Sequence, residues 1–236
     1  MYQSVFKRYE MKYMINYKQK QTILKAIEPY MDIDKYGLTT IRNIYFDTDN
    51  FRLIRRSLEK PEYKEKLRIR SYKQVSPENF VFVELKKKYK SVVYKRRVII
   101  KEHEATDSFL NGKQLPVKSQ IGDEIEYFRS FYNPLFPKIF LSYEREAFYS
   151  KNGGDFRITF DRNILYRDFD ISLCSETYGK KILKEDNCIM EIKTSGGMPL
   201  WLNSILTKEK IFKTSFSKYG TAYMDMMEKD CKAGGF

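Results

Sequence analysis

The chain has 236 residues, enough for one large domain or two small ones, and its 44 Lys and Arg against 31 Asp and Glu give a formal charge of +13. That surplus predicts a polyanionic partner: nucleic acid, an anionic membrane surface or a phosphate-rich small molecule. Three cysteines without paired spacing (Cys174, Cys188, Cys231) and one histidine, His103, argue against a disulfide scaffold, a zinc site and a Ser-His-Asp triad.

In chain order, residues 6–15 read as a strand with Arg8, Glu10 and Lys12 on one face. Asn16 then caps a helix, with Gln19 three residues on in a capping-box arrangement and Ile23, Leu24 and Ile27 as its apolar stripe. Residues 41–46 form a short strand whose inward face the pattern does not assign, and 47–61 read as a loop with a helical turn. Three strongly alternating strands follow at 66–70, 80–88 and 92–100. Their alternation places Lys66, Arg68 and Arg70 together, Glu84 with Lys86, and Lys95 with Arg97, opposite an apolar back that includes Leu67, Ile69, Val81, Val83 and Leu85. Between Lys64 and Lys101 thirteen Lys or Arg face three Glu, so most of the cationic excess sits here.

Residues 101–119 read as a polar excursion turning at Asn111-Gly112, and 123–132 as a helix that stops before Pro134. Strands at 139–148 and 156–160 are joined by the turn Asn152-Gly153-Gly154. A strand at 188–193 runs to Gly196-Gly197, and apolar helical stretches at 199–206 and 211–227 close the chain. No internal repeat or linker is visible, so a single domain over 1–236 is expected, its core at about 6–228 with a short C-terminal tail.

Charged-apolar-charged alternation recurs in seven strands, with 41–46 as an eighth candidate. A solvated sheet face explains any one of them. Seven together predict an α+β fold: an antiparallel eight-stranded β-barrel tunnel with a polar, cationic bore and helices packed outside. Neither Gly-Gly pair precedes Lys-Ser/Thr, so no P-loop is present. Nucleic-acid binding ranks low, because the aromatics alternate away from the basic residues rather than among them. Carboxylates at Glu10, Glu84, Asp161 and Glu191 are the candidate metal ligands, and hard oxygens suit Mg2+ or Mn2+.

Arg8-Tyr-Glu-Met-Lys-Tyr13, Ile44-Tyr-Phe-Asp-Thr48, Lys66-Leu-Arg-Ile-Arg70 and Val83-Glu-Leu-Lys86 resemble motifs of the VTC domain. So do Ser142-Tyr-Glu-Arg-Glu-Ala-Phe148, Arg157-Ile-Thr-Phe-Asp161, Met190-Glu-Ile-Lys193 and Ser215-Phe-Ser-Lys-Tyr219. The VTC domain is the polyphosphate polymerase domain of the vacuolar transporter chaperone complex, within the triphosphate tunnel metalloenzymes or CYTH-like superfamily. The resemblance implies phosphate-binding cations at Lys12, Arg68, Arg70, Lys86, Lys95 (with Arg96 and Arg97 as adjacent alternatives), Arg145, Arg157 and Lys218, with Arg8 as an added binder of the VTC-like form and Lys193 as a further candidate. It puts Arg68, Arg70, Lys86, Lys218 and Glu191 in the catalytic set. It places the metal-holding glutamate on Glu191. Tunnel hydrolases of the superfamily carry Glu-x-Glu-x-Lys near the N-terminus, where this chain has Arg8-x-Glu10-x-Lys12, the VTC-like form.

The activity so implied is transfer of the ATP γ-phosphate to a growing polyphosphate chain, with a divalent metal as cofactor. The alternatives are a metal-dependent triphosphate hydrolase of the same fold, or a module that only binds polyphosphate or inositol phosphates. Partners are then ATP or another triphosphate, polyphosphate and inorganic phosphate. No apolar run approaches the roughly 20 residues of a membrane span. The SPX and membrane-spanning parts of the vacuolar proteins are not in this sequence. Residues 1–10 lack a signal-peptide core. The expected location is cytoplasmic, or peripheral at the inner face of a membrane through a separate membrane protein.

Overall fold

A computed structural model describes residues 9–90 and 92–233. Strand β1 (Tyr9–Asn16) leads into α1 (Tyr17–Ile27), β2 (Met31–Ile33), β3 (Thr39–Asp47) and α2 (Arg52–Leu58). Then come β4 (Tyr63–Tyr72), β5 (Phe80–Tyr89), β6 (Val92–Lys101), α3 (Glu102–Leu110) and α4 (Gln120–Phe131). The remainder is β7 (Phe136–Ser150), β8 (Arg157–Arg167), β9 (Lys180–Lys181), β10 (Asn187–Thr194), α5 (Leu200–Lys208), β11 (Lys213–Thr214) and α6 (Lys218–Ala233). The α+β class and the antiparallel sheet are as expected. The strands number eleven rather than eight among the described residues, and their pairing is an open path with β11 and β6 at its ends, not a closed barrel.

The chain forms two compact units. The first takes residues within 1–40, 143–164 and 183–216. Its strands pair in the order β11-β1-β10-β8-β7, with β2 on the end of β7. Its core joins Tyr13 and Ile15 of β1, Ile158 and Phe160 of β8, and Cys188, Met190 and Ile192 of β10 to Ile23 and Ile27 of α1 and Leu202 and Leu206 of α5. Helix α1 starts where the sequence places it. The Asn16 side chain accepts from the Gln19 N–H, and the Gln19 side chain accepts from the Asn16 N–H.

The second unit takes residues within 41–142, 165–182 and 217–236. Here β7 is followed by β3, β4, β5 and β6, and β9 pairs with the end of β8. Leu67, Ile69, Val81, Val83, Leu85, Val98 and Ile100 turn one face of this sheet into a core, covered by Ala105 and Phe109 of α3 and by Ile125 and Phe128 of α4. Each fully buried aliphatic side chain contributes about 1.5–3 kcal/mol, so this face determines which side of every strand points inward.

Two readings change. Residues 102–110, read as part of a polar excursion, are helix α3, whose few apolar side chains find their burial only against the sheet. The apolar stretch 211–227 is not one helix. Lys213 and Thr214 pair with Tyr13 and Lys12 of β1, and α6 begins only at Lys218. Gly220, near the start of α6, meets α2 closely: a Cβ there would lie 2.9 Å from the Leu58 side chain. No helix among the described residues is long and apolar enough to cross a membrane.

Candidate phosphate-binding site

The polar face of β3–β6 is a grid set by strand register. One row crosses Tyr45, Arg68, Glu84 and Arg97; the next crosses Lys66, Lys86 and Lys95; a third crosses Asn43, Arg70 and Phe82. Glu84 is the hub and is 1% exposed. Arg68 donates from Nε and Nη2 to Glu84 Oε2 at 2.9 and 2.7 Å. From the other flank Arg97 donates through Nε at 2.8 Å and through Nη2 to Oε1. The Lys95 ammonium reaches Oε1 at 2.7 Å, and Arg70 Nη1 lies 3.7 Å from Oε2.

Each guanidinium has a second tether. Arg68 Nη1 donates to the Tyr45 hydroxyl at 2.8 Å, Arg70 Nε donates to Asn43 Oδ1 at 2.9 Å, and Arg97 lies over the Phe82 ring at 4.5 Å. Lys66 reaches the Ser217 hydroxyl at 3.3 Å, and Lys218, half-buried, opens α6 in the same unit.

Burial by itself would raise the Glu84 carboxyl; the charges of Arg68, Arg70 and Lys95 outweigh it and hold the group far below the usual carboxylate range. Burial pulls the Lys95 ammonium down to about 7, opposed by Glu84 and assisted by Arg70 and Arg68. Its side chain is still 41% exposed, and that solvent limits how far the depression reaches.

On the other face of β5 and β6, Lys87 and Arg96 both bind Glu124 of α4, at 3.4 and 3.2 Å. The triple lysine at 86–88 is therefore split between faces, with Lys86 and Lys87 on opposite sides of the strand.

In the other unit, one row runs Lys12, Glu191, Thr159 across β1, β10 and β8, and another runs Glu10, Lys193, Arg157. Lys193 Nζ binds Glu191 Oε1 at 2.7 Å, and Glu191 is 5% exposed. Arg145 grips Asp161 with both ends, Nε to Oδ1 at 2.6 Å and Nη2 to Oδ2 at 2.7 Å. Burial would lower the Arg145 pKa, but Asp161 first, with Tyr143 and Glu191, raises it well above its ordinary value. Lys12 donates to the Phe216 carbonyl at 2.9 Å and lies 3.7 Å from Glu10, while Arg157 stacks over the Tyr149 ring at 4.7 Å. Arg8 lies outside the described residues.

Among the described residues no three His, Cys, Asp or Glu side chains form a metal-binding group. The donors fit a divalent ion only in a sparse way. Asp161 is gripped by Arg145, Glu84 is bound by Arg68, Arg97 and Lys95 with Arg70 close by, and Glu191 is bound by Lys193. One carboxylate suits an ion such as Mg2+ that takes its remaining ligands from substrate phosphates and water.

The sequence pattern left Asn43 and Tyr45 unassigned. Their signal was present as alternation in β3, but Arg42 obscured it by placing a charge on the apolar face. Arg42 is tolerated there because its Nη1 donates to the carbonyls of Leu173 and Ser175.

Antiparallel strands thus give one face to apolar helix packing and the other to interlocked arginines, lysines and carboxylates. Solved structures agree at the level of fold. A proposed adenylate cyclase from Bacillus halodurans aligns with TM-score 0.57 and 16% identity, covering 91% of this chain and 96% of its own. A proposed adenylyl cyclase from Hippeastrum, described as having a dominant triphosphatase activity, aligns at 0.55 and 16%, covering 89% and 92%. No curated protein matches the sequence. The chain belongs to the VTC domain family, whose domain matches residues 7–227.

Proposed function

We propose that the protein is a polyphosphate polymerase-like phosphotransferase that moves the γ-phosphate of ATP to the end of a growing polyphosphate chain. The observation that carries this reading is the convergence of Arg68, Arg70, Lys95 and Arg97 on one buried carboxylate, in a chain that belongs to the VTC domain family. Such a face neutralises the charge of successive phosphates, and phosphoryl transfer is catalysed largely by positioning and charge stabilisation. Arg68, Arg70, Lys86 and Lys218 are proposed to hold the phosphates in the second unit, with Lys95 and Arg97 beside them. Lys12, Arg145, Arg157 and Lys193 are the proposed phosphate binders of the first.

The acceptor, a terminal phosphate oxygen, is already an anion, so the transfer requires no protein base. Glu191 is the residue proposed to hold a divalent ion, Mn2+ or Mg2+, which would supply Lewis-acid polarisation of phosphate oxygens. Glu10 and Asp161 are its lesser candidates, while Glu84 is held by Arg68, Arg97 and Lys95.

A second reading, a triphosphate hydrolase, is supported by the likeness to the Hippeastrum protein. The test is purified protein with ATP and Mn2+, assayed for long-chain polyphosphate and free phosphate together. Polymer is the expected product. Free phosphate without polymer would establish the hydrolase, and neither product would leave a binding module.

A further inference from the structure

We infer that Glu84 is a positioning residue of the proposed phosphate site: it fixes Arg68, Arg70, Lys95 and Arg97 at the spacing a triphosphate meets, and so strengthens anion binding although it is itself an anion. This role rests on the triphosphate reading given above.

The geometry carries it in three ways. First, the carboxylate is fully engaged. It has about four acceptor sites, and Arg68 and Arg97 each bring two N–H groups to it while Lys95 brings a fifth donor. Second, the register makes Glu84 the separator. Arg68 and Arg97 are its direct neighbours on β4 and β6, and the adjoining row is the all-lysine set Lys66, Lys86 and Lys95. Like charges facing each other across strands repel. A neutral residue at 84 would leave two arginines and three lysines with no acid among them in those two rows. Third, Tyr45, Asn43 and Phe82 hold Arg68, Arg70 and Arg97 from beside them on the same face. Two-point fixation removes most of the rotamer freedom that a binding event must otherwise overcome.

Net charge alone makes the opposite prediction. Deleting an acid from a cationic face raises its potential and should tighten polyanion binding. The two accounts therefore differ in sign.

The experiment is calorimetric titration of sodium tripolyphosphate in metal-free buffer at about 50 and 200 mM salt, the range over which screening of exposed charge changes. It uses the full chain as wild type, Glu84→Gln and Glu84→Asp, with the melting temperature of each recorded beside it. Positioning predicts at least about tenfold weaker binding in both variants, a loss that persists at the higher salt and in protein that melts as a folded domain. Equal or tighter binding by Glu84→Gln overturns the role. If Glu84→Gln does not fold, Glu84→Asp decides, because it keeps the charge and shortens the reach: wild-type affinity there overturns positioning, and a tenfold loss supports it. A wild type that does not bind tripolyphosphate removes the phosphate reading itself. Wild-type binding with unaffected variants removes only the role of Glu84.

Discussion

The Tyr219 hydroxyl donates to Asp47 Oδ2 at 2.9 Å, joining the start of α6 to the end of β3. Asp47 is fully buried and also accepts from the N–H groups of Thr48, Leu53 and Ile54. It therefore caps α2, whose own N-cap residue, Phe51, makes no side-chain cap and sits at φ 57°. Burial and the neighbouring carboxylate push the Tyr219 hydroxyl far above its usual pKa, so it remains a donor throughout the physiological range.

This network sets the first prediction. Asp47→Ala leaves four donors, three of them buried, without their acceptor and should cost about 2–4 kcal/mol of stability. Urea unfolding measures it. A loss below about 1 kcal/mol would mean that the α2 start and Tyr219 find other acceptors.

The two faces of β4 and β5 set the second. Arg70 is 7% exposed on the polar face, while Lys87 binds Glu124 on the other. A charge-assisted hydrogen bond to a buried arginine contributes about 1.5–3 kcal/mol, or one to two decades of affinity, whereas Lys87 lies on the opposite face and is already paired with Glu124. Arg70→Ala should therefore weaken tripolyphosphate binding about 10- to 100-fold and Lys87→Ala little. Similar, salt-sensitive losses in both variants would instead indicate a diffuse basic surface.

The third concerns Glu191, paired with Lys193. Glu191→Gln keeps the shape and loses the anionic ligand, so turnover of ATP with Mn2+ should disappear while most tripolyphosphate binding in metal-free buffer persists. Turnover at the wild-type rate would take Glu191 out of the proposed metal site.

Lys95 supplies a pH dependence. Burial lowers its pKa toward about 7, so the ammonium loses its proton at a lower pH than an ordinary lysine does. Its contribution to anion binding is thus present at pH 6 and fading by pH 8. Lys95→Arg stays charged across this range. The ratio of variant to wild-type tripolyphosphate affinity should therefore rise from pH 6 to pH 8, and comparison at each pH cancels the titration of the ligand. A constant ratio would place the lysine titration outside this window.

Alternation of period two was enough to put Val81, Val83 and Leu85 in the core and Glu84 with Lys86 on the opposite face. The α1 capping box was equally legible, because Asn16 and Gln19 interact within one turn. Such features depend on residues a few positions apart, and the sequence by itself determines them. Tertiary structure decided which cation meets which acid. That Glu84 lies between Arg68 and Arg97 follows from the registers of β4, β5 and β6, where a shift of one residue would turn the whole face over. It also decided the facing of β3, since Arg42 can lie on the apolar side only when carbonyls 131 and 133 residues away receive its hydrogen bonds. Residues 211–214 left the helical pattern for the same reason: β1 offered Lys213 and Thr214 a strand partner about 200 residues distant in sequence, and no local periodicity encodes an acceptor brought near only by folding.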